Sequence, residues 1–427
     1  MTSAAASQES RPDARSIVSL ILLSGVVGLN TVDRNMLGLL LPQIQKDIAL
    51  SDAALGWLMG PAFMVVYSVA GLPIAWLADR TNRRNIIAAG LAFWSAVTAL
   101  TGLAQTIGHL LIARMALGVG EASNMAPTSA LLGDLFRGRY RVIAMAVFSA
   151  GGPGAILLFF PVIGWVAGEH GWRPAYGMMG IIGLAVALLT FALVREVRTD
   201  GAPETPARPA ARSLVATVAA ILAMRSFLLL CAAGTMLSIS LAVMLAWLPA
   251  FMQRVHGFDP QATGSLLGLY RGGIGVAATL AAGVIVTLLM RRDRRWLAWA
   301  PMLLAMALVP AQMLLLLSDA PLGWHVGLAL DSILMSAITP CLFALLITLL
   351  DSSVRATGAA LYLLIFNLVG QSVGPLLVGT LNDGILQANG EQAIRYSMLS
   401  APIAALIGAA LLLILSLQLA RNPAEAD

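Results

Sequence analysis

Twelve long apolar runs, separated by short polar or Gly/Pro-rich breaks, follow one another along the chain. A run of about 20 mostly apolar residues is long enough to cross the hydrocarbon core of a bilayer as an α-helix. The pattern predicts an all-α polytopic membrane protein with twelve transmembrane helices, here called spans 1 to 12. They are predicted near 16–45, 53–78, 85–106, 109–132, 142–168, 175–195, 224–252, 260–290, 296–317, 323–350, 356–381 and 394–420.

The composition agrees with this class and excludes others. Of the 427 residues, 59% are hydrophobic and 11% are charged, whereas a soluble domain has about 45–50% and about 25%. A water-soluble enzyme is therefore excluded. The net charge is +5, but the 26 basic residues are spread along an apolar chain and form no concentrated phosphate-binding face. Nucleic acid is therefore not expected as a partner.

Most basic residues fall on one side of the predicted membrane. Eighteen of the 26 lie in the tails and loops of one face, four in the loops of the other and four inside spans. The positive-inside rule places both termini in the cytoplasm, and the polar N-terminal tail has no features of a cleaved signal peptide. Lys46 is the only lysine. This arginine bias, with the high alanine content, suggests a bacterial inner (plasma) membrane.

The chain divides into two similar halves. The segment LLPQIQKDIALSDAALGWLMG, from residue 40, resembles AWLPAFMQRVHGFDPQATGSLLG, from residue 246, with Pro42 matching Pro249 and Asp52 matching Asp259. A repeat of this length suits two pseudo-symmetric six-helix bundles with a substrate site between them. The predicted organisation is a cytoplasmic tail at 1–15, an N-terminal bundle at 16–195, a cytoplasmic linker at 196–212, a C-terminal bundle at 213–420 and a cytoplasmic tail at 421–427.

Three ionisable side chains inside the spans are candidates for proton coupling. Asp33 lies deep in span 1, and Arg114 and Glu121 are seven residues apart on one face of span 4. Ionisable groups inside a membrane are costly and mark functional sites by default. One arginine between two acids predicts a cluster that loads and unloads protons. The alternative is a static ion pair that holds spans 1 and 4 together.

A second group of polar residues is assigned to a substrate cavity. Arg271 lies at mid-depth in span 8 beside several glycines, and it suits either an anionic headgroup or an ion pair with Asp331 of span 10. Arg34, next to Asp33, points about 100° further around span 1. The assigned residues are Arg34, Arg271, Asn30 and Asp331.

Small residues and prolines predict hinges at corresponding places in the two halves. Proline removes a helical hydrogen bond, and small residues let membrane helices pack closely. The predicted hinges are Gly152 and Pro153 in span 5 and Gly374 and Pro375 in span 11. The chain has no GxxxxGK[ST], HExxH or GxSxG motif. An ion gradient is therefore the expected energy source, and no metal or other cofactor is expected.

Three segments resemble a known family. AWLADRTNRR, at 75–84, resembles the signature loop of the major facilitator superfamily, G-x-L-A-D-R-x-G-R-R/K, and Asn82 matches the version of that loop in the spinster family. NTVDRNMLGLLLPQIQKDIALSD, at 30–52, and GVGEASNMAPTSALLGDLF, at 118–136, are further matches. Ala75 and Asn82 stand where glycines are usual. The chain thus resembles a bacterial spinster protein.

The resemblance implies roles for individual residues. Asp33, Arg114 and Glu121 would form the family's proton-sensitive cluster, and Arg34 and Arg271 would lie near the substrate cavity. A cytoplasmic gate would consist of the residues Asp79, Arg80, Arg83, Arg84 and Asp134. Asp79 would cap the neighbouring span 11.

The expected function is proton-coupled secondary active transport by alternating access, carried out by a monomer among membrane lipids. The resemblance implies an amphipathic lipid substrate, such as a lysophospholipid or a sphingoid phosphate. A proton-coupled symporter of a small organic anion is the alternative, because such symporters share the Asp-Arg pair of span 1 and the Arg…Glu pattern of span 4. A membrane-embedded lipid-modifying enzyme is a second alternative, although the sequence shows no nucleophile, base or metal cluster for it.

Overall fold

The computed structural model describes residues 12–196, 214–292, 296–351 and 354–421. Most of the predicted linker at 196–212 and parts of both predicted tails lie outside these ranges. The described residues form helices and no strands, as the fold class predicts. The first half contains α1 (Ala14–Ile48), α2 (Asp52–Met59), α3 (Pro61–Arg80), α4 (Arg83–Thr101), α5 (Ile107–Glu121), α6 (Met125–Leu135), α7 (Arg139–His170) and α8 (Trp172–Leu193).

The second half repeats this order, with two π-helical turns and one 3₁₀ turn. It contains α9 (Leu214–Leu222), α10 (Arg225–Val255), α11 (Pro260–Leu267), a π-helical turn (Gly268–Ile274), α12 (Gly275–Arg292), α13 (Trp296–Leu317) and α14 (Pro321–Leu349). It continues with α15 (Arg355–Ile365), a second π-helical turn (Phe366–Gly370), α16 (Gln371–Asp383), a 3₁₀ turn (Gln387–Gln392), α17 (Ala393–Ser397) and α18 (Ser400–Arg421).

Ten helices in the described residues are long and apolar enough to cross a membrane. The other two predicted spans coincide with α4, which begins with two arginines, and with the pair α5 and α6, which carries Arg114 and Glu121 and is interrupted by a short turn. The arginines lower the hydropathy of the first segment, and the turn divides the second segment into two helices that are each too short to cross a membrane. Every predicted span thus has a helical counterpart whose ends lie within a few residues of the prediction.

Local sequence explains where several helices start. Ser51 and Asn82 accept hydrogen bonds from the backbone N–H groups of Ala54 and Asn85, so each caps the helix that follows it. Gly60 adopts a non-helical conformation directly before Pro61, which ends α2 and starts α3 inside what the sequence predicts as one continuous span 2. Proline is favoured at such a first helical position because it has no N–H to leave unpaired.

The same pairs of helices pack in both halves. In the first half α1 packs on α7, α3 on α5, and α4 on α8; in the second half α10 packs on α16, α12 on α14, and α13 on α18. The core is apolar, with Trp94 and Trp247 fully buried. These matching contacts give the two pseudo-symmetric bundles that the repeat predicts.

The halves approach each other closely at one end of the molecule. We call this the distal end, where α1 and α10 terminate; the proximal end is where they begin. A Cβ on Gly38 of α1 would collide with the carbonyl oxygen of Ala246 in α10, and one on Gly264 of α11 would collide with the carbonyl oxygen of Phe160 in α7. Glycine at these crossings lets the backbones of the two halves touch, as in other membrane helix pairs.

Candidate functional site

The buried carboxylate of Glu121 lies at the centre of a polar cluster in the first half. Glu121 is the last residue of α5 and is fully buried. Its Oε2 accepts hydrogen bonds from Arg34 Nε at 2.7 Å and from Asn30 Nδ2 at 2.9 Å, and its Oε1 has no partner. We call Asn30, Asp33, Arg34, Thr98, Arg114 and Glu121 the N-half cluster.

Arg34 connects this cluster to an aromatic wall. Its guanidinium carbon lies 4.8 Å from the ring centre of Phe63 and 4.5 Å from that of Tyr67, and the two rings stack on each other. A cation over aromatic faces is stabilised electrostatically. The Arg34 side chain is 24% exposed, and its Nη2 is buried without a hydrogen-bond partner. Arg34 therefore keeps donor capacity after pairing with Glu121.

Asp33 is held by a hydroxyl rather than by an arginine. Its Oδ2 lies 3.3 Å from Thr98 Oγ1 in α4, and the same hydroxyl lies 3.0 Å from the carbonyl oxygen of Trp94. A threonine hydroxyl has a single proton, so it donates fully to only one of these oxygens at a time. The hydrogen-bond pattern at Asp33 thus has two possible arrangements.

Arg114 lies among the acids without being their direct partner. It is almost fully buried, interacts electrostatically with Asp33 and Glu121, and has an Nη2 without a hydrogen-bond partner. The sequence predicts that Arg114 is the one cation that pairs with both Asp33 and Glu121. The structure instead places Arg34 on Glu121, so the N-half cluster contains two acids and two guanidinium groups.

A second polar group is buried in the other half. Arg271 lies on the π-helical turn at Gly268–Ile274, and its Nη2 is 2.5 Å from Asp331 Oδ2 in α14. The exposed fractions of the two side chains are 9% and 0%. Gln312 Nε2 donates to Asp331 Oδ1 at 2.9 Å and to Ser240 Oγ at 3.1 Å. Of the two alternatives for Arg271, the structure shows the pair with Asp331.

Arg271 also reaches the boundary between the halves. A small cleft there is lined by Asn35 of α1, Phe160 of α7, Met244 and Leu248 of α10, and Arg271. The lining is apolar apart from one amide and one guanidinium group. Ligand sites in proteins have linings of this kind, mostly apolar with a few polar groups.

The predicted gate residues have different environments. Arg83 Nη1 lies 2.5 Å from Asp134 Oδ2, and the role of this pair in a cytoplasmic gate stays a prediction. Arg80 instead lies over the ring of Trp76, and Arg84 lies over Phe191. The backbone N–H groups of Arg83 and Arg84 donate to the carboxylate of Glu196. The side chain of Asp79 lies outside the described residues, so its predicted contact with span 11 stays a prediction.

The predicted hinge residues are packing positions in this structure. Helix α7 continues through Pro153, and α16 continues through Pro375. A Cβ on Gly152 would lie 2.9 Å from Thr31 Oγ1, and one on Gly374 would lie 2.9 Å from the carbonyl oxygen of Ile239. Each glycine therefore brings two helices of the same half together, and hinge motion at these residues stays a prediction.

Sequence reasoning missed several members of these clusters. Thr98 and Gln312 are single polar residues in apolar spans and had no visible signal of their own. Ser240 did have one. It stands 207 positions after Asp33, the same offset that relates Pro42 to Pro249. Both residues contact a polar side chain of the third predicted span of their half, Thr98 in span 3 and Gln312 in span 9.

Two helical half-bundles with buried charges beside the boundary between them define an integral membrane transporter of the two-repeat class. The model of the major facilitator superfamily matches residues 23–375. The chain belongs to this superfamily, as the signature loop predicts.

Curated relatives are transporters. An MFS-type efflux pump of Mycolicibacterium smegmatis is 32% identical over 387 residues, covering 90% of this chain and 87% of the relative. The sphingosine-1-phosphate transporter SPNS2 of Danio rerio is 24% identical over 404 residues, covering 89% of this chain and 80% of the relative. A probable galactarate/D-glucarate transporter, GudP of Bacillus subtilis, is 32% identical over 186 residues, 42% of this chain and 40% of the relative.

A solved structure has the same fold. The crystal structure of a bacterial homologue of the human lysosomal transporter Spinster, in an inward-facing and unoccupied conformation, aligns with a TM-score of 0.83 and 22% identity. The alignment covers 96% of this chain and 99% of that chain. The predicted resemblance to spinster proteins is confirmed.

Proposed function

We propose that this chain is a proton-coupled transporter that works by alternating access and takes up its proton at Asp33. The observation that carries the proposal is the position of Thr98 between Asp33 and the carbonyl oxygen of Trp94. Asp33 is 5% exposed, and no arginine forms an ion pair with it among the described residues. Its charge therefore depends on this hydroxyl and on more distant cations.

Both protonation states of Asp33 have a complete hydrogen bond to Thr98. When Asp33 is ionised, Thr98 donates its proton to the carboxylate. When Asp33 is protonated, its own O–H donates to the Thr98 oxygen, and Thr98 donates to Trp94. A buried polar group left unpaired costs about 1–3 kcal/mol, and this exchange avoids that cost in either state. The arrangement suits a group that is protonated and deprotonated in every cycle.

Glu121 and its two arginines would couple this proton to movement. With both acids ionised, the cluster has two negative and two positive charges. Protonation of Asp33 leaves Arg114 without an equal countercharge, so Glu121 is drawn from Arg34 toward Arg114. Arg34 then becomes free to bind an anion. The proton and the substrate are thus linked through one carboxylate that has two alternative partners.

We further propose an amphipathic anion, such as a lysophospholipid or a sphingoid phosphate, as the substrate. Arg34 in the first half and Arg271 in the second would bind its acidic group, and the apolar lining beside Arg271 would hold its chain. The spinster-type relatives support a lipid. The match to the galactarate/D-glucarate transporter supports a small organic anion as the second candidate.

The membrane orientation belongs to the same proposal. The basic residues gather at the proximal end, so that end would face the cytoplasm of a bacterial cell and the protein would lie in the inner membrane. The distal end would then face outward. We propose further that the chain works as a monomer and carries out no covalent chemistry.

Purified protein in proteoliposomes with an internal pH dye tests the proposal. A fluorescent lysophospholipid, a sphingoid phosphate and galactarate serve as probes, each with and without a pH gradient. We expect one probe to drive proton movement, and Asp33→Asn to abolish this coupling while substrate exchange without a gradient persists. Asp259→Asn is the matched control, because Asp259 lies in a loop and caps α11. Proton coupling that survives unchanged in Asp33→Asn would refute the proposal.

A further inference from the structure

The two halves are joined at the distal end by a network centred on Asp52. Its carboxylate accepts hydrogen bonds from Arg254 Nη1 at 2.7 Å and Nη2 at 2.8 Å, and from Asn382 Nδ2 at 2.8 Å. Asp52 belongs to the first half, whereas Arg254 and Asn382 belong to the second. A bidentate bond between arginine and carboxylate is among the stronger polar contacts in proteins.

A second carboxylate crosses the same boundary in the opposite direction. Asp383, the last residue of α16, accepts hydrogen bonds from the backbone N–H groups of Asp52 at 3.2 Å and Ala53 at 2.6 Å. These N–H groups are in the first turn of α2, where a helix has no internal partners for them and favours a negative charge. The C-terminal end of α16 therefore caps a helix of the other half.

The helices that carry this network are in direct backbone contact. A Cβ on Gly379 of α16 would collide with the carbonyl oxygen of Asp52, and one on Gly56 of α2 would lie 2.7 Å from the carbonyl oxygen of Pro375. The Asp52 and Arg254 side chains are 8% and 17% exposed. The polar contacts are thus shielded from water only while the two helices stay together.

The matching acid of the second half has a different role. Asp259, which aligns with Asp52, caps its own helix by accepting a hydrogen bond from the N–H of Ala262 at 2.6 Å. In α2 this capping role belongs to Ser51, so Asp259 is bonded locally whereas Asp52 is bonded across the boundary. Helix capping alone needs only the local arrangement, so it does not account for Arg254 and Asn382 around Asp52.

We propose that Asp52, Arg254, Asn382 and Asp383 form a distal lock, which holds this end of the transporter closed and must break before the site opens to the distal side. When the halves separate, all the bonds break together and water solvates each group, so the lock is strong when closed and reversible. The proposal rests on the alternating-access cycle proposed above, but its test reads the distance between the halves instead of transport.

Spin labels on the two halves measure whether the lock is closed. Gln105 and Asn389 are exposed, lie in distal loops of different halves and take no part in the lock. They are replaced by cysteine in a background with Cys231→Ala and Cys341→Ala, because both native cysteines are free. We expect one short distance in this background. Asp52→Asn or Asp383→Ala should raise the ratio of long to short distances about tenfold, which is about 1.4 kcal/mol.

Two control variants and one rescue make the result decisive. Asp259→Asn removes the charge of the acid that the sequence repeat aligns with Asp52, and Asp47→Asn removes an exposed ion pair with Arg173 inside the first half; neither should change the distance. The charge swap Asp52→Arg with Arg254→Asp should restore the short distance.

Unchanged distances in both Asp52→Asn and Asp383→Ala would overturn the lock, and so would an equal shift in Asp259→Asn. If Asp52→Asn fails to fold, Asp383→Ala and the charge swap decide the question in the same way. Loss of proton coupling in the transport assay leaves these distances unaffected, so failure of the lock and failure of the proposed function are distinguishable.

Discussion

The ion pair between Arg271 and Asp331 gives the sharpest energetic prediction. Both side chains are almost fully buried, and Asp331 also accepts a hydrogen bond from Gln312. Removing one partner leaves an uncompensated buried charge, so Arg271→Ala or Asp331→Ala should each lower the free energy of unfolding by about 3–5 kcal/mol. Replacing both with apolar residues of similar volume, Arg271→Met with Asp331→Leu, removes the unpaired charge.

The double variant should therefore be much more stable than either single variant. Gln312 keeps Ser240 as a partner but loses Asp331, at a cost of about 0.5–1.5 kcal/mol. We expect the double variant to lie within about 2 kcal/mol of the wild type, since well-packed apolar pairs often replace buried ion pairs without loss. The coupling free energy between the two sites follows from this double-mutant cycle.

Unfolding in mixed detergent micelles measures the stabilities, and proteoliposome transport measures function in the same four proteins. If Arg271 binds the acidic group of the substrate, the double variant should be stable yet transport an anionic probe far more slowly than its uncharged analogue. If the stable double variant transports the anionic probe at the full rate, the pair of Arg271 and Asp331 has only a structural role and Arg271 does not bind the substrate. Single variants within about 1 kcal/mol of the wild type would contradict the energetic reasoning itself.

Two further predictions concern the distal end. Burial, followed by the charge of Arg395, lowers the pKa of His256 below its usual 6.5, and the charge of Asp319 opposes this shift. His256 therefore binds a proton less readily in the folded state than in the unfolded chain. The stability that is present above pH 6.5 is lost as the pH falls. His256→Phe should flatten the dependence of melting temperature on pH between about pH 7 and pH 5, and an unchanged slope would argue against this assignment. Gly379→Ala should lower stability by about 1–3 kcal/mol through overpacking, whereas Gly25→Ala, which has open space around it, should not; equal effects on thermal unfolding would contradict the close helix crossing.

The fold was readable from hydropathy because a membrane span is defined mainly by its apolar length. Span 9 was predicted at 296–317, and α13 occupies Trp296–Leu317. The break at Gly60 was not predicted, because a hydropathy average does not register one non-helical residue inside an apolar run. The π-helical turns were not predicted for a related reason, because one extra residue in a turn hardly changes the composition of the span.

The partners of the site residues were less predictable than the residues themselves. Asp33, Glu121 and Arg271 stood out because charge is rare in a span. Which arginine meets Glu121, however, depends on how far α1 and α5 are rotated toward each other, and packing of the whole bundle sets that rotation. The contact between Asp52 and Arg254 joins residues 202 positions apart, which local pattern cannot reveal.

The π-helical turn at Gly268–Ile274 has a consequence for the geometry of the second half. A turn closed by i to i+5 bonds is wider and holds one more residue than an α-helical turn. Neighbouring side chains of a helix point about 100° apart, so one extra residue in a turn changes which neighbours its side chains meet. Within this turn Arg271 meets Asp331, while the backbone at Gly272 touches Leu157 of the other half.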